Sequence, residues 1–162
     1  KIDAIESFLA LAREQINIPI STDLFGFNSW HRTGNWIGQN IERISNYVDV
    51  ISPMFYPSHF PHHFLADNSY LERARIIYER GVHRAQQMVK GRSYIRPYIQ
   101  AFLIGHELRM EEKEYSRYLI NQIVGSQESN ASGFTLWNAS NRYYMVNEPL
   151  QPYFKISGET VQ

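Results

Sequence analysis

The sequence predicts an α/β fold in which parallel strands alternate with helices. Four short apolar runs each close on polar or aromatic residues, and a stretch with helical spacing of apolar residues precedes each run. The predicted strands lie at about 18–23, 48–54, 94–100 and 133–138. This alternation is typical of parallel strands joined by helical crossovers. Because ligands in such folds bind beyond the carboxyl ends of the strands, the residues that close the four runs are the first functional candidates.

The four helices are predicted from apolar residues that recur every three or four positions. The first spans about 2–16, the second is short and lies between 37 and 48, the third covers about 71–88, and the fourth about 115–123. Gly91 is a suitable stop for the third helix.

Composition and charge restrict the classes of function. The chain has 162 residues, enough for one domain with a hydrophobic core. With 16 basic and 16 acidic residues, it gives no general electrostatic reason to bind nucleic acid or an anionic membrane. It contains no cysteine, which excludes disulfides, a thiolate nucleophile and cysteine-ligated zinc. No apolar run approaches the roughly 18 residues of a membrane span, so none is predicted.

The loops that follow the first two strands, at about 25–35 and 55–68, are longer than usual for βα connections. Long loops on one edge of a rigid sheet commonly carry binding and catalytic residues. No Gly-x-Gly-x-x-Gly or Walker-type loop follows any predicted strand, so a phosphate-cradling nucleotide site is not predicted. The predicted strands end in Asp, Met-x-Tyr, Gln and Trp, and these residues are better suited to a carbohydrate site than to a nucleotide site.

Several segments resemble a family of bacterial proteins known as the putative glycosyl hydrolase domain. The matching segments are STDLFG at 21–26, YVDVISPMFYPSH at 47–59, RPYIQAF at 96–102, NQI at 121–123 and GFTLWNA at 133–139. The resemblance extends over about residues 1–145. More loosely, Met54-x-Tyr56 and Trp137 are similar to residues that line the sugar subsite of chitinase-like barrels.

The resemblance implies a (β/α)8 TIM barrel, of which this chain supplies four βα units. We therefore expect the C-terminal half of a barrel, about strands 5–8, in residues 1–146, followed by a peripheral tail at 147–162. The acid that the family carries on its fourth strand would lie upstream of this chain. Expected partners are a carbohydrate and either the missing N-terminal half-barrel or a second copy that pairs through open sheet edges. The family resemblance favours the cell envelope or secretion.

Glycoside hydrolysis generally needs two carboxyl groups, about 5–5.5 Å apart for retention or about 6.5–9.5 Å apart for inversion. Asp23 is the acid that closes a predicted strand, and it is the candidate catalytic residue. The alternative is a carboxylate that caps the following loop. Asp49 begins its predicted strand and is expected at the opposite, stability-determining end.

The candidate substrate-binding residues follow the later strands: Tyr56, His59, Gln100, Trp137 and Asn138. Each can bind a sugar hydroxyl or, for Trp137, stack under a sugar ring. The alternatives are a rim position for Tyr56, a bridge between neighbouring strands for Gln100 and ordinary packing for Trp137.

No metal or cofactor is predicted. The nearby histidines His59, His62 and His63 are interrupted by Pro61 and have no neighbouring carboxylate to complete a metal site.

The sequence thus leads to a glycoside hydrolase acting on a bacterial polysaccharide, with its second carboxylate outside this chain. A non-catalytic carbohydrate-binding barrel and a structural fragment are the alternatives.

Overall fold

The computed structural model describes residues 1–31 and 33–153. The helices are α1 (Ile2–Gln15), α2 (Phe27–His31), α3 (Ile41–Ile44), α4 (Tyr70–Val89) and α5 (Glu112–Glu128). The strands are β1 (Ser21–Phe25), β2 (Val50–Met54), β3 (Tyr94–Ile95), β4 (Tyr98–Gln100) and β5 (Thr135–Trp137). Short 3-10 helices occur at Thr33–Ile37, Pro57–His59, Gly105–Arg109 and Gln151–Tyr153.

All strand pairs are parallel, and the sheet order β1-β2-β4-β5 follows the chain. The predicted α/β class with parallel strands in sequential order is confirmed. The predicted third strand is divided into β3 and β4, which both pair with β2. Arg96 and Pro97 separate the two parts, and Pro97 has no N–H to contribute to a ladder.

Two sequence-based boundaries were wrong. The first strand begins at Ser21 rather than at residue 18 and continues to Phe25, so Asp23 is its central residue and not its last. Pairing extends this far because Leu24 is buried in the core and the Gly26 N–H still donates to the Met54 carbonyl at 3.2 Å. The region predicted as a loop at 25–35 also contains α2 and the start of a 3-10 helix.

One face of the sheet is covered and the other is open. Leu24, Ile51, Ile95 and Ile99 alternate with their neighbours and are at most 2% exposed. On that side α1 contacts α3, α3 contacts α4 and α4 contacts α5, so the helices form one row. Most residues that point to the opposite side are exposed or half-buried: Ser21, Asp23, Phe25, Met54, Tyr98, Thr135 and Trp137. Ser52 and Gln100 point to this side as well but are buried. We call this second side the open face.

The two long helices pack unusually closely. A Cβ on Gly125 of α5 would stand 2.1 Å from the carbonyl oxygen of Arg75 on α4, so this crossing requires glycine. The Arg75 side chain pairs with Glu72 of its own helix and also with Glu128 of α5. The packing of α4 against α5 therefore depends on the close approach of their backbones at Gly125 and on the ion pair between Arg75 and Glu128.

The tail is described only in part. Its 3-10 helix at Gln151–Tyr153 places Tyr153 against the hydrophobic core. The rest of the predicted tail, residues 154–162, lies outside the described residues. Within residues 1–31 and 33–153, no helix is both long and apolar enough to cross a membrane.

We predict that Gly125→Ala lowers the free energy of unfolding by about 1–3 kcal/mol, because the new methyl group must push α5 away from α4. Urea denaturation measures the change. Lys113→Ala, at an exposed position of the same helix, should change it by less than about 0.5 kcal/mol. Equal stability of the Gly125→Ala variant and the wild type would contradict the close crossing.

Candidate active site

Asp23 projects from the centre of β1 onto the open face. Its position pairs with Ser52 of β2, and its side chain is exposed. Partial burial by its surroundings nevertheless raises the pKa of its carboxyl group above the ordinary value. No hydrogen bond or ion pair engages this carboxylate within the described part of the chain, so it is available to a ligand.

Two tyrosine hydroxyls lie within electrostatic range of Asp23. Burial raises the pKa of Tyr56, and the nearby Tyr98 and Asp23 raise it further. Burial also raises the pKa of Tyr98, again with a contribution from Asp23. Asp23 is therefore within electrostatic range of both Tyr56, a candidate from the sequence, and Tyr98, which was not one.

Trp137 lies on the open face with its side chain partly exposed, at 44% for the residue. Its ring meets the ring of Tyr98 edge-on, with centroids 5.9 Å apart and planes at 70°. These two side chains form an aromatic surface on the open face, of which Tyr98 is within electrostatic range of the Asp23 carboxylate. Tyr98 was not among the residues predicted from the sequence. It lies two residues before Gln100 in the same strand, so the alternation of side chains puts both on one face of the sheet.

A second aromatic group surrounds Tyr56 at the carboxyl edge of the sheet. Its ring contacts His59 and Phe102 edge-on, each at 5.3 Å between centroids. Tyr56 is 4% exposed, whereas His59 is exposed and Phe102 is half-buried. His59 is thus the more accessible of the two predicted binding residues that follow β2.

Gln100 is fully buried, and protein partners use both polar atoms of its side chain. Its oxygen accepts from Ser58 Oγ at 2.9 Å and from the Ser58 N–H at 3.2 Å. Its nitrogen donates to Glu107 at 2.9 Å and to the Phe102 carbonyl at 3.0 Å. This arrangement favours the bridging alternative for Gln100 over direct sugar binding.

Glu107 is the acidic centre of the same buried network. The Tyr118 hydroxyl donates to its carboxylate at 2.8 Å and the Ile104 N–H at 3.0 Å, and the Tyr70 hydroxyl also donates. Burial, together with this carboxylate, raises the pKa of both Tyr70 and Tyr118. A fully buried and fully engaged carboxylate is suited to holding the loop after β4 rather than to reacting.

Arg73 of α4 fixes the loop that follows β2. Its guanidinium donates to the backbone carbonyls of Pro57, Phe60, Pro61 and Phe64 at 2.7–3.3 Å, and the residue is 5% exposed. Charge-assisted bonds of this kind are stronger than neutral ones. Together with Gln100, Arg73 therefore defines the position of the segment that carries Tyr56 and His59.

Asn138 is 4% exposed and also acts within the protein. Its amide nitrogen donates to the Ala101 carbonyl at 2.6 Å and to the Arg142 carbonyl at 2.9 Å. Its oxygen accepts from the Ser140 N–H at 2.9 Å and from its hydroxyl at 2.7 Å. Asn138 thus ties the turn after β5 to the end of β4.

Asp49 lies just before β2, at the opposite end of the sheet from Tyr56, as expected. The Ile20 N–H and the Arg13 guanidinium bond its carboxylate and hold its pKa below the ordinary value. Among the described residues, no group of three or more potential ligands is arranged to hold a metal ion.

The comparisons with known proteins place the chain within a family. A family model described as "Putative glycosyl hydrolase domain" matches residues 1–143. The chain belongs to this family. The resemblance found in the sequence motifs is thereby confirmed. No curated protein and no solved structure gave a match.

The matched part of this glycosyl hydrolase domain includes every strand and both aromatic groups of the site. It also includes Asp23, Gln100 and Glu107. The residues after 143, including the 3-10 helix at Gln151–Tyr153, lie beyond the match.

We predict that Asp23→Asn stabilises the domain near pH 7. Because the folded protein raises the Asp23 pKa, the charged form is less favourable in the folded than in the unfolded state. This cost grows as pH rises above the ordinary value of 3.8 and disappears at lower pH. Urea denaturation across pH should show the gain at about pH 7 and its loss at about pH 3.

Asp49→Asn is a control for which we expect the opposite change in stability at neutral pH. Because the folded state lowers the Asp49 pKa, the charged form contributes stability at neutral pH that is lost on acidification. This variant should therefore be less stable than the wild type at about pH 7, with a difference that shrinks towards low pH. A destabilising Asp23→Asn variant at neutral pH would contradict the environment described for Asp23.

Proposed function

We propose that the chain is part of a glycoside hydrolase that acts on a bacterial polysaccharide. The observation that supports this proposal is that a carboxyl group and an aromatic surface lie on the same face of the sheet. The Asp23 carboxyl, with its raised pKa, shares the open face with the half-buried ring of Tyr98 and the partly exposed ring of Trp137. Aromatic faces bind the C–H groups of sugar rings, and a carboxyl group of raised pKa is suited to general acid catalysis.

In this proposal Asp23 is one of the two carboxyl groups of the reaction. It protonates the leaving oxygen as general acid or attacks the anomeric carbon as nucleophile. Asp23 is the one carboxylate among the strand residues on the open face that the structure describes. The second carboxylate therefore comes from outside this sheet.

A barrel supplies such a second group. The sequential parallel order and the single row of helices support the proposal that β1 to β5 form strands 5–8 of a (β/α)8 barrel. In that arrangement the open face is the barrel interior, and the outer edges of β1 and β5 pair with the other half. Helix α1, at the end of the row, exposes a stripe of Ile5, Phe8 and Leu11 that another helix would cover.

We predict that the chain associates in solution, because unpaired parallel edges and the α1 stripe favour contact with further strands and helices. Light scattering coupled to size-exclusion chromatography should give a mass above 19.1 kDa. Replacing Phe8 and Leu11 together by Asp should reduce this association, whereas Ser7→Asp on the same exposed helix should not. A monomeric wild type at high concentration would contradict the half-barrel proposal.

We predict that Asp23→Asn lowers polysaccharide hydrolysis by about 10²–10⁴-fold, the usual contribution of a general acid or base, with sugar binding retained. Trp137→Ala should instead weaken binding, because the apolar platform is removed. Hydrolysis and affinity are measured on the same set of bacterial polysaccharides, with Asp49→Asn as the matched carboxylate control. Unchanged hydrolysis in Asp23→Asn would exclude Asp23 as a catalyst.

A non-catalytic carbohydrate-binding domain is the second candidate. It is favoured by the single carboxylate among the described strand residues of the open face. Sugar binding that depends on Trp137, without hydrolysis by the complete protein, would support this candidate over the hydrolase.

A further inference from the structure

An arginine occupies the open face close to the candidate site. Ile95 and Pro97 are buried on the covered side, whereas Arg96 between them is exposed. Arg96 lies two residues before Tyr98, at the break between β3 and β4, and therefore on the same face of the sheet. The backbone N–H of Arg96 donates to the Ile51 carbonyl at 3.0 Å, which fixes the residue against β2.

The guanidinium of Arg96 has no partner in the described part of the protein. No hydrogen bond, ion pair or ring contact engages it there, and Asp23 is not paired with it. Its Nε lies 3.9 Å from the point that a Cβ on Gly133 would occupy, an ordinary contact distance, so the side chain extends beside the residues that lead into β5. An accessible cation thus stands at the edge of the surface formed by Tyr98 and Trp137.

The charge of Arg96 acts on the site itself. It partly offsets the effects of burial and of Asp23, which together raise the pKa of Tyr98. The guanidinium is therefore within electrostatic range of a hydroxyl that belongs to the aromatic surface. A sugar ring bound on that surface would lie within the same range.

We propose that Arg96 binds a carboxylate carried by the substrate, so that the polysaccharide contains uronic acid units. This inference rests on the proposed function and adds the class of sugar. A planar guanidinium offers paired N–H donors that match the two oxygens of a carboxylate. A neutral sugar offers this cation only neutral acceptors, whose hydrogen bonds are weaker than those of a carboxylate. The neighbouring Asp23 would disfavour a bound anion, and Arg96 offsets that repulsion.

The test compares oligosaccharides of polygalacturonate and of alginate with the same oligosaccharides after reduction of their carboxyl groups to alcohols. Isothermal titration calorimetry measures affinity for the wild-type chain. At least one acidic oligosaccharide should bind about tenfold or more tightly than its reduced form, as expected for a hydrogen-bonded charge pair. The preference should weaken when the ionic strength is raised.

Arg96→Gln should remove the preference for the acidic form and leave binding of the reduced form unchanged. Arg80→Gln, an exposed arginine on α4, should retain the preference. Because Arg96 bonds to no other side chain among residues 1–31 and 33–153, its replacement should not change the midpoint of urea denaturation. A loss of preference would then not be a loss of folding.

Three outcomes would overturn this inference. The first is equal binding of the acidic and reduced forms by the wild type. The second is a preference that survives in Arg96→Gln. The third is loss of the preference together with reduced self-association in Arg96→Gln, since Arg96 would then pair with a carboxylate of another copy of the protein. The proposed function is tested separately, because it fails if neither form binds in a Trp137-dependent manner.

Discussion

The carboxyl edge of the sheet depends on the buried amide of Gln100. This side chain joins β4 to the loop after β2 through Ser58, and to the loop after β4 through Phe102 and Glu107. Tyr118 extends the same network to α5. Buried polar groups of this kind are costly when unpaired, so each partner requires the others to be in place. The positions of these loops are thus set by the buried network beneath them, although His59 in one loop is itself exposed.

The fold could be predicted largely because its periodicities are clear. Apolar runs of strand length between amphipathic helices specify parallel order, and the structure has that order. The end of the first strand could not be predicted, because Asp23 interrupts the apolar run without interrupting the pairing. A polar residue on an open face is compatible with a strand, and the sequence does not reveal which face is open.

The site residues were predicted from their positions at the strand ends, and this rule worked unevenly. Trp137 and His59 are accessible, whereas Gln100 and Asn138 are buried and bonded to protein partners. These bonds join residues that are far apart in the sequence, which a local pattern does not contain. Tyr98 was missed for the opposite reason: it precedes the strand end, yet the alternation of β4 brings it to the open face.

The contacts of Arg73 restrict the motion of the segment that follows β2. The segment at 57–64 contains little regular structure and would ordinarily open and close freely. Here its carbonyls are bonded to a buried guanidinium on α4, so it can leave only if that charge is unpaired and α4 is disturbed. This segment is therefore preorganised, and a ligand that bound against it would have little ordering entropy to overcome.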